Sequence, residues 1–278
     1  MLTKNQLKTL FLKNDFRPLK RFGENYLIDG NIKNKIIDEA NVSKDDTVLE
    51  IGPGFGALTV DLASTGAEIF AVEKDRKAFE IFKHLIKDDF PNLRLLNGDI
   101  LGFDINQMPL ARKIKVVGNL PYYITTPIIE YLIENRRSIE SMLLVMQKEV
   151  ASRFLASNGS KDYGSISCFI QYYTNPHYKC TIKRNSFYPE PEVDSSLLKF
   201  DILDRPSVNV KDEGLFFKII RGAFNQRRKS IINSLSRKEV LNLEKEELAG
   251  ILERADIAPN CRPEDLSLQK FAKLTNSI

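Results

Sequence analysis

Cysteine is scarce and scattered. Cys168, Cys180 and Cys261 are odd in number and form no Cys-x-x-Cys pair, which excludes a disulfide framework and a zinc site built on paired thiolates. The chain has two histidines, His84 and His177, and neither His-x-x-x-His nor Gly-x-Ser-x-Gly occurs. Metal-assisted hydrolysis and a serine–histidine triad are therefore poor fits, no metal is expected, and both histidines are expected at the surface. No stretch approaches the roughly 18 apolar residues that span a bilayer. The opening MLTKNQLKTLFLKNDF breaks its short apolar run with charges instead of forming a signal-peptide core. A secreted or membrane protein is not expected, and the cytoplasm fits best. A large excess of one charge is also missing: 41 Lys and Arg against 37 Asp and Glu leave +4, too little to argue for a polyanionic partner.

What is present is the composition of an ordinary globular chain, 278 residues with 42% hydrophobic and 28% charged. That length suits one large domain with a small one, or two comparable domains. The charge is unevenly placed. Residues 1 to 21 carry Lys4, Lys8, Lys13, Arg17, Lys20 and Arg21 against the single acid Asp15, and residues 221 to 238 carry Arg221, Arg227, Arg228, Lys229, Arg237 and Lys238 with no acid.

Between these basic segments the pattern alternates. Ile32, Ile36, Ile37 and Ala40 fall at helical spacing behind Asp29 or Asn31 as N-cap. Strand-like runs at 47–51, 68–72, 93–97 and 114–118 are separated by helix-like segments starting near Ala57 and spanning 76–86, which predicts βαβ units on a mostly parallel sheet. A helix over 126–135, a buried strand over 141–146 and a helix over 149–156 follow. Runs 165–174 and 195–202 read as two late strands, an antiparallel hairpin closing the sheet. Beyond Asp204, Phe216, Ile220, Ala223 and Phe224 keep helical spacing and only short helices are expected. The boundary is placed near 205: an α/β domain over 1–204 with a basic N-terminal arm, and a small all-α domain over 205–278.

Four places carry candidate chemistry. Glu50-Ile51-Gly52-Pro53-Gly54-Phe55-Gly56 lies between a strand and a helix, where glycines allow a tight turn and close approach of a nucleotide-like ligand to backbone. Glu73 ends the next strand, 21 residues after Gly52, where an acid can bond ribose hydroxyls. This much suits NAD equally well, although no catalytic Tyr-x-x-x-Lys or positioned histidine supports an oxidoreductase. Asp99 follows the third strand, where a carboxylate can accept from an adenine amine or simply cap a turn. Gly118-Asn119-Leu120-Pro121-Tyr122-Tyr123 follows the fourth strand and is the decisive segment. An adenine amine is a poor nucleophile because its lone pair is delocalised. A methyltransferase must therefore hold it in line with the methyl donor and bond its hydrogens. The Asn119 side-chain oxygen and the Pro121 carbonyl suit those two hydrogens, and Tyr122 offers an aromatic face for a flipped base.

On these residues the sequence resembles the small-subunit ribosomal RNA adenine N6,N6-dimethyltransferases. Further carriers of the resemblance are the segment 21–27 (RFGENYL), Gln147-Lys148-Glu149-Val150, the segment 187–195 (FYPEPEVDS), the segment 224–229 (FNQRRK) and Arg262-Pro263-Glu264, so it spans most of the chain. The resemblance implies a class I, Rossmann-like methyltransferase with a mostly parallel seven-stranded sheet and an antiparallel last hairpin. It implies S-adenosylmethionine as cofactor and S-adenosylhomocysteine as product. Asn25 and Leu27 would close over the cofactor, Gly52 approach its amino-acid end, Glu73 hold the ribose and Asp99 the adenine amine. Asn119, Leu120, Pro121 and Tyr122 would face the target, with Phe187 stacking on the base opposite Tyr122. Arg21, Arg221, Arg227, Arg228 and Lys229 would contact RNA phosphates, and on a helix Arg221, Asn225 and Arg228 would share one face. The implied substrate is two adjacent adenosines in the 3′-terminal hairpin of 16S rRNA within an assembling small ribosomal subunit, acted on by a monomer. A large-subunit (23S) adenine methyltransferase of the macrolide-resistance type and a non-catalytic ribosome-assembly factor are the alternatives. Two positions depart from the family pattern: Glu24 stands where Gln is usual and Tyr26 where Phe is usual.

Overall fold

The computed structural model describes residues 1–18, 25–87, 89–108 and 112–278. The chain begins with helix α1 (Lys4–Lys13), started by Thr3, whose hydroxyl accepts from the Gln6 N–H while the Gln6 side chain accepts from the Thr3 N–H. This reciprocal cap satisfies two of the otherwise unpartnered donors of a helix start. Leu7 and Phe11 are the buried residues of α1 and cluster with Phe16, Phe55, Ala78 and Ile81. A two-residue strand β1 (Tyr26–Leu27) leads to α2 (Gly30–Ala40), whose N-cap is Asp29, one of the two residues expected in that role.

The βαβ reading holds. β2 (Thr47–Ile51), α3 (Thr59–Ser64), β3 (Glu68–Glu73), α4 (Arg76–Ile86), β4 (Leu93–Asn97), β5 (Ile114–Asn119), α5 (Thr125–Glu134) and β6 (Ile139–Gln147) follow in turn. β2 pairs in parallel with β3 and β5, β3 with β4, and β5 with β6. β2 and β3 are buried beyond their first residue, as strands covered on both faces must be. One face is filled by Val48, Ile69, Val117, Leu143, Val145 and Leu197 of the sheet against Ile36 and Ala40 of α2 and Leu62 and Ala63 of α3. Each large aliphatic side chain buried there contributes about 1.5–3 kcal/mol relative to exposure.

The late part differs from the sequence reading in where its helix and strands lie. Residues 165–173 form helix α7 (Ser165–Tyr173), after α6 (Lys148–Leu155), and the strand comes next as β7 (Thr174–Ile182). The run SISCFIQYY is apolar enough for either state. Gly164 starts a helix there, with its N–H donating to Ser167 Oγ, while Ser167 Oγ donates to the Arg153 carbonyl. β7 holds Pro176, which an edge strand tolerates, and β7 is the edge of the seven-stranded order β4-β3-β2-β5-β6-β9-β7. β9 (Ser195–Ile202) runs antiparallel to β6, with Gln147 opposite Ser195 and Ser141 opposite Asp201. A second, two-stranded ribbon pairs β1 with β8 (Phe187–Tyr188), Leu27 opposite Phe187.

The rest is helical: α8 (Glu213–Phe224), α9 (Ile231–Leu235), α10 (Lys245–Arg254) and α11 (Leu268–Asn276). α8 buries Phe216, Ile220, Ala223 and Phe224 at the expected spacing, but it ends at Phe224. Asn225 and Arg228 therefore lie in the following turn, not on one helix face with Arg221. The chain divides into two compact units, residues 1–148 with 177–202, and residues 149–176 with 203–278. The second unit begins two residues before the expected boundary and also takes in 149–176.

The first turn after β2 is fixed by sterics. Gly56 has φ +81°, and a Cβ there would lie 2.3 Å from the ring of the fully buried Phe82. Gly56→Ala is expected to destabilise the fold by about 3 kcal/mol from backbone strain and overpacking together, read as a lower urea midpoint.

Candidate functional site

Because β2, β3, β4 and β5 are parallel, the residues after each emerge at one edge of the sheet, and the strand order reverses between β2 and β5. Crevices at such a reversal are where open α/β sheets bind ligands. The glycine turn after β2 is left-handed at Gly52, Gly54 and Gly56, with φ of 68°, 56° and 81°. Glu73 braces it from the end of β3. One carboxylate oxygen accepts the Gly54 N–H at 3.0 Å and the other accepts the Asp75 N–H at 2.8 Å. The Glu73 carbonyl accepts from Gly98 N and from Asn97 Nδ2, tying in the end of β4. At Gly54 an added Cβ would sit 2.9 Å from the Tyr26 ring, so Tyr26 lies directly on the turn and, with Phe55 at 4.7 Å between centroids, roofs it.

Asp99 caps the short turn after β4, accepting from Leu101 N at 3.1 Å, and pairs with Lys74 Nζ at 2.7 Å. Burial works to raise its carboxyl, but the bonds from Lys74 and Leu101 outweigh burial and hold it below the ordinary carboxylate range. Lys74 also interacts with Tyr123. A cavity bordered by Gly52, Glu73, Lys74, Asp99, Pro121 and Tyr123 opens beside this pair.

Asn119 is the last residue of β5. Its Nδ2 donates to the Asn25 carbonyl at 2.8 Å, which fixes the orientation of the amide and leaves Oδ1 as its acceptor. The Pro121 carbonyl already accepts from the Thr125 hydroxyl at 3.1 Å and Ile124 N at 3.2 Å. Leu120 is buried, and its N–H donates to the Val145 carbonyl. The Tyr122 hydroxyl is 2.6 Å from Ser195 Oγ; burial raises this phenol and the Ser195 bond opposes the rise. Phe187 is 2% exposed and packs in the core beside its strand partner Leu27. Both nevertheless line a second cavity, together with Glu50, Gly52, Gly54 and Asn119. Gly52 borders both cavities.

Glu50 is a residue that motif reading left without a role. It is 2% exposed, and neither its Oε2 nor the neighbouring Thr59 hydroxyl completes a hydrogen bond. Burial pushes its carboxyl up to about 8; the Thr59 hydroxyl opposes the rise and the Glu73 charge adds to it. A lone acid in the strand TVLEI was the available signal. Lys74 and Ser195 were likewise missed, since their partners come from other strands and turns.

Of the expected RNA contacts, Arg21 lies outside the described residues, as does the departure at Glu24. Arg221, Arg228 and Lys229 are exposed. Arg227 is committed within the helical unit: one guanidinium nitrogen donates to the Lys161 and Tyr163 carbonyls at 2.7 and 2.9 Å and pairs with Glu264 at 3.4 Å. Among the described residues no group of three or more His, Cys, Asp or Glu is placed to hold a metal, and no helix is long and apolar enough to cross a membrane.

The chain is similar to known proteins over nearly its whole length. A model of the family described as ribosomal RNA adenine dimethylase matches residues 15–278. The ribosomal RNA small subunit methyltransferase A of Alkaliphilus oremlandii is 40% identical over 98% of this chain and 95% of its own. The protein of the same name from Clostridium botulinum strain Langeland is 41% identical over 98% of each. Among solved structures, a dimethyladenosine transferase from Plasmodium falciparum superposes with a TM-score of 0.76 at 26% identity, covering 90% of this chain and 95% of its own. The 23S rRNA methyltransferase ErmE, at 23% identity and TM-score 0.70 over 91% and 99%, shares the fold. The family model and these relatives cover nearly the whole chain, and the chain belongs to the ribosomal RNA adenine dimethylase family.

Proposed function

We propose that this chain dimethylates the N6 amines of two adjacent adenosines in the 3′-terminal hairpin of small-subunit (16S) ribosomal RNA, using S-adenosylmethionine, during assembly of the subunit. The observation that carries the chemistry is the Asn25 carbonyl holding the Asn119 amide so that its oxygen is the acceptor. The choice of the small-subunit RNA rests on the close relatives named ribosomal RNA small subunit methyltransferase A.

The residues at the crevice suit this cofactor. Gly52 and Gly54 expose backbone, Glu73 is an anchored carboxylate for ribose hydroxyls, Asp99 an acceptor for the adenine amine, and the unpartnered Glu50 oxygen an acceptor for a cationic centre. S-adenosylmethionine supplies an electrophilic methyl on a positively charged sulfur. The protein's work is then to align and desolvate. Asn119 Oδ1 accepts one amine hydrogen, and the Pro121 carbonyl, whose lone pairs are shared with Thr125 and Ile124, is the weaker acceptor for the other. The Tyr122 ring, held through Ser195, presents a face to the base. In this conformation Phe187 is packed in the core, so its part as the opposite face requires the base to reach the cavity it lines. No strong general base is needed, since the methylated amine is acidic enough to lose its proton to water.

Arg221, Arg228 and Lys229 are assigned to phosphate contacts, and Arg227 to bracing the segment 161–163 and Glu264. The helical unit is accordingly the RNA-docking part and residues 1–148 with 177–202 the catalytic part.

Three outcomes are expected. Asn119→Ala lowers kcat about 10²–10³-fold with RNA affinity unchanged, as loss of one transition-state acceptor does; near-normal turnover contradicts the role. Arg228→Ala with Lys229→Ala weakens RNA binding and reduces its salt slope by roughly one per lost phosphate contact, whereas Arg227→Ala chiefly lowers the thermal stability of the helical unit. Labelled methyl offered with unmethylated small and large ribosomal subunits separately gives dimethyladenosine in small-subunit RNA alone. Label in large-subunit RNA favours the resistance-type reaction, and tight subunit binding without label favours an assembly factor.

A further inference from the structure

Glu50 is the one acid on β2 and is 2% exposed. From α3 it meets the neutral Thr59 hydroxyl, and from β3 the anionic Glu73. The cavity it borders is lined from β5 by Asn119 and from the N-terminal segment by Tyr26, the other titratable group there. Among the described residues that line this cavity there is no Lys, Arg or His. An ionised carboxylate at this depth would carry its desolvation cost with no compensating charge and with one oxygen unsatisfied. The protonated acid avoids that cost. The opening of the cavity on the same glycine turn exposes Glu50 to whatever cation a bound nucleoside brings.

We propose that Glu50 stands protonated in the ligand-free protein and gives its proton to solvent when a cationic nucleoside ligand enters, so that cofactor binding is coupled to release of one proton. The inference rests on the cofactor reading above. One O–H bond of the carboxylic acid breaks, the proton leaves to buffer, and the carboxylate remains opposite the ligand's positive centre. Two centres share that chemistry, the α-ammonium, present in both S-adenosylmethionine and S-adenosylhomocysteine, and the sulfonium, present only in the former.

A carboxyl pushed up to about 8 by burial is mostly protonated at pH 7, so up to one proton is available. The ligand-free protein carries a matching signature. Folded Glu50 holds its proton to a higher pH than the ordinary value of 4.5, so its contribution to stability is intact below about 4.5 and is lost as pH rises through about 8. Glu50→Gln, which keeps shape and neutrality, removes this dependence. The difference in thermal midpoint between Glu50→Gln and the parent is expected to grow from pH 5 to 8; parallel profiles overturn the proposal.

The direct test is calorimetric titration of the full chain with S-adenosylmethionine, and separately with S-adenosylhomocysteine, at pH 7 in buffers of different ionisation enthalpy. Net release of up to about one proton per site, lost in Glu50→Gln, is the expected result. Release with both nucleosides assigns the ammonium as the cation, and release with S-adenosylmethionine alone assigns the sulfonium. Binding without proton release, or equal release from Glu50→Gln, overturns the inference and leaves the cofactor reading standing; absence of binding by either nucleoside overturns both. Should the variant not fold, the infrared carbonyl stretch of a protonated carboxyl in the parent protein, present without ligand and lost at saturation, reads the same event, and its persistence at saturation overturns the proposal.

Discussion

The carboxylate of Glu73 holds two crossovers of the sheet in one geometry. Its two oxygens take backbone N–H groups from the glycine turn after β2 and from the turn after β3, while its carbonyl secures the end of β4. Hydrogen bonds to a charged acceptor are worth about 1.5–3 kcal/mol each, and here they act on a turn whose glycines have left-handed backbone and little stiffness of their own. A residue that would be read as a ligand contact is therefore first a structural clamp. The two roles are compatible because a carboxylate offers about four acceptor positions.

That clamp gives the site its polarity. On one side of Gly52 lies the cavity of Glu50, Asn119 and Phe187; on the other lies the cavity edged by Glu73, Asp99 and Lys74. Phe11 of the N-terminal helix packs against Tyr26, which roofs the turn with Phe55, and the Asn25 carbonyl just before β1 sets the Asn119 amide. Tyr26 lies so close over Gly54 that a Cβ there would meet its ring at 2.9 Å. The segment that carries basic charge near the N-terminus thus also shapes the reacting end of the site.

The sheet was legible because its strands are short apolar runs separated by helices of strong period. 47–51, 76–86 and 93–97 match the observed elements residue for residue. Other elements were not, among them β7, the β1–β8 ribbon, α1 and the helix over 165–173. α1 was read only as a basic arm, although Thr3-x-x-Gln6 ahead of Leu7, Leu10 and Phe11 is a capping box with an apolar stripe. The run 165–174 was read as strand, because a uniformly apolar segment has no period to decide between states, and the Gly164 start with the Ser167 bonds decided for helix. Within the site, Gly52, Glu73, Asp99 and Asn119 follow from their places after consecutive parallel strands. The commitment of Arg227 to carbonyls 161 and 163 and the unpartnered Glu50 oxygen depend on contacts remote in sequence, which no local pattern encodes.

The most direct measurement is an experimental structure of the chain with S-adenosylhomocysteine. The expected position is at the reversal between β2 and β5, with the amino-acid end against Gly52 and Glu50, the ribose on Glu73 and the adenine amine at Asp99. Density elsewhere on the protein, or a nucleoside bound with Glu73 turned away from its ribose, would contradict the assignment of this sheet edge as the methyl-transfer site.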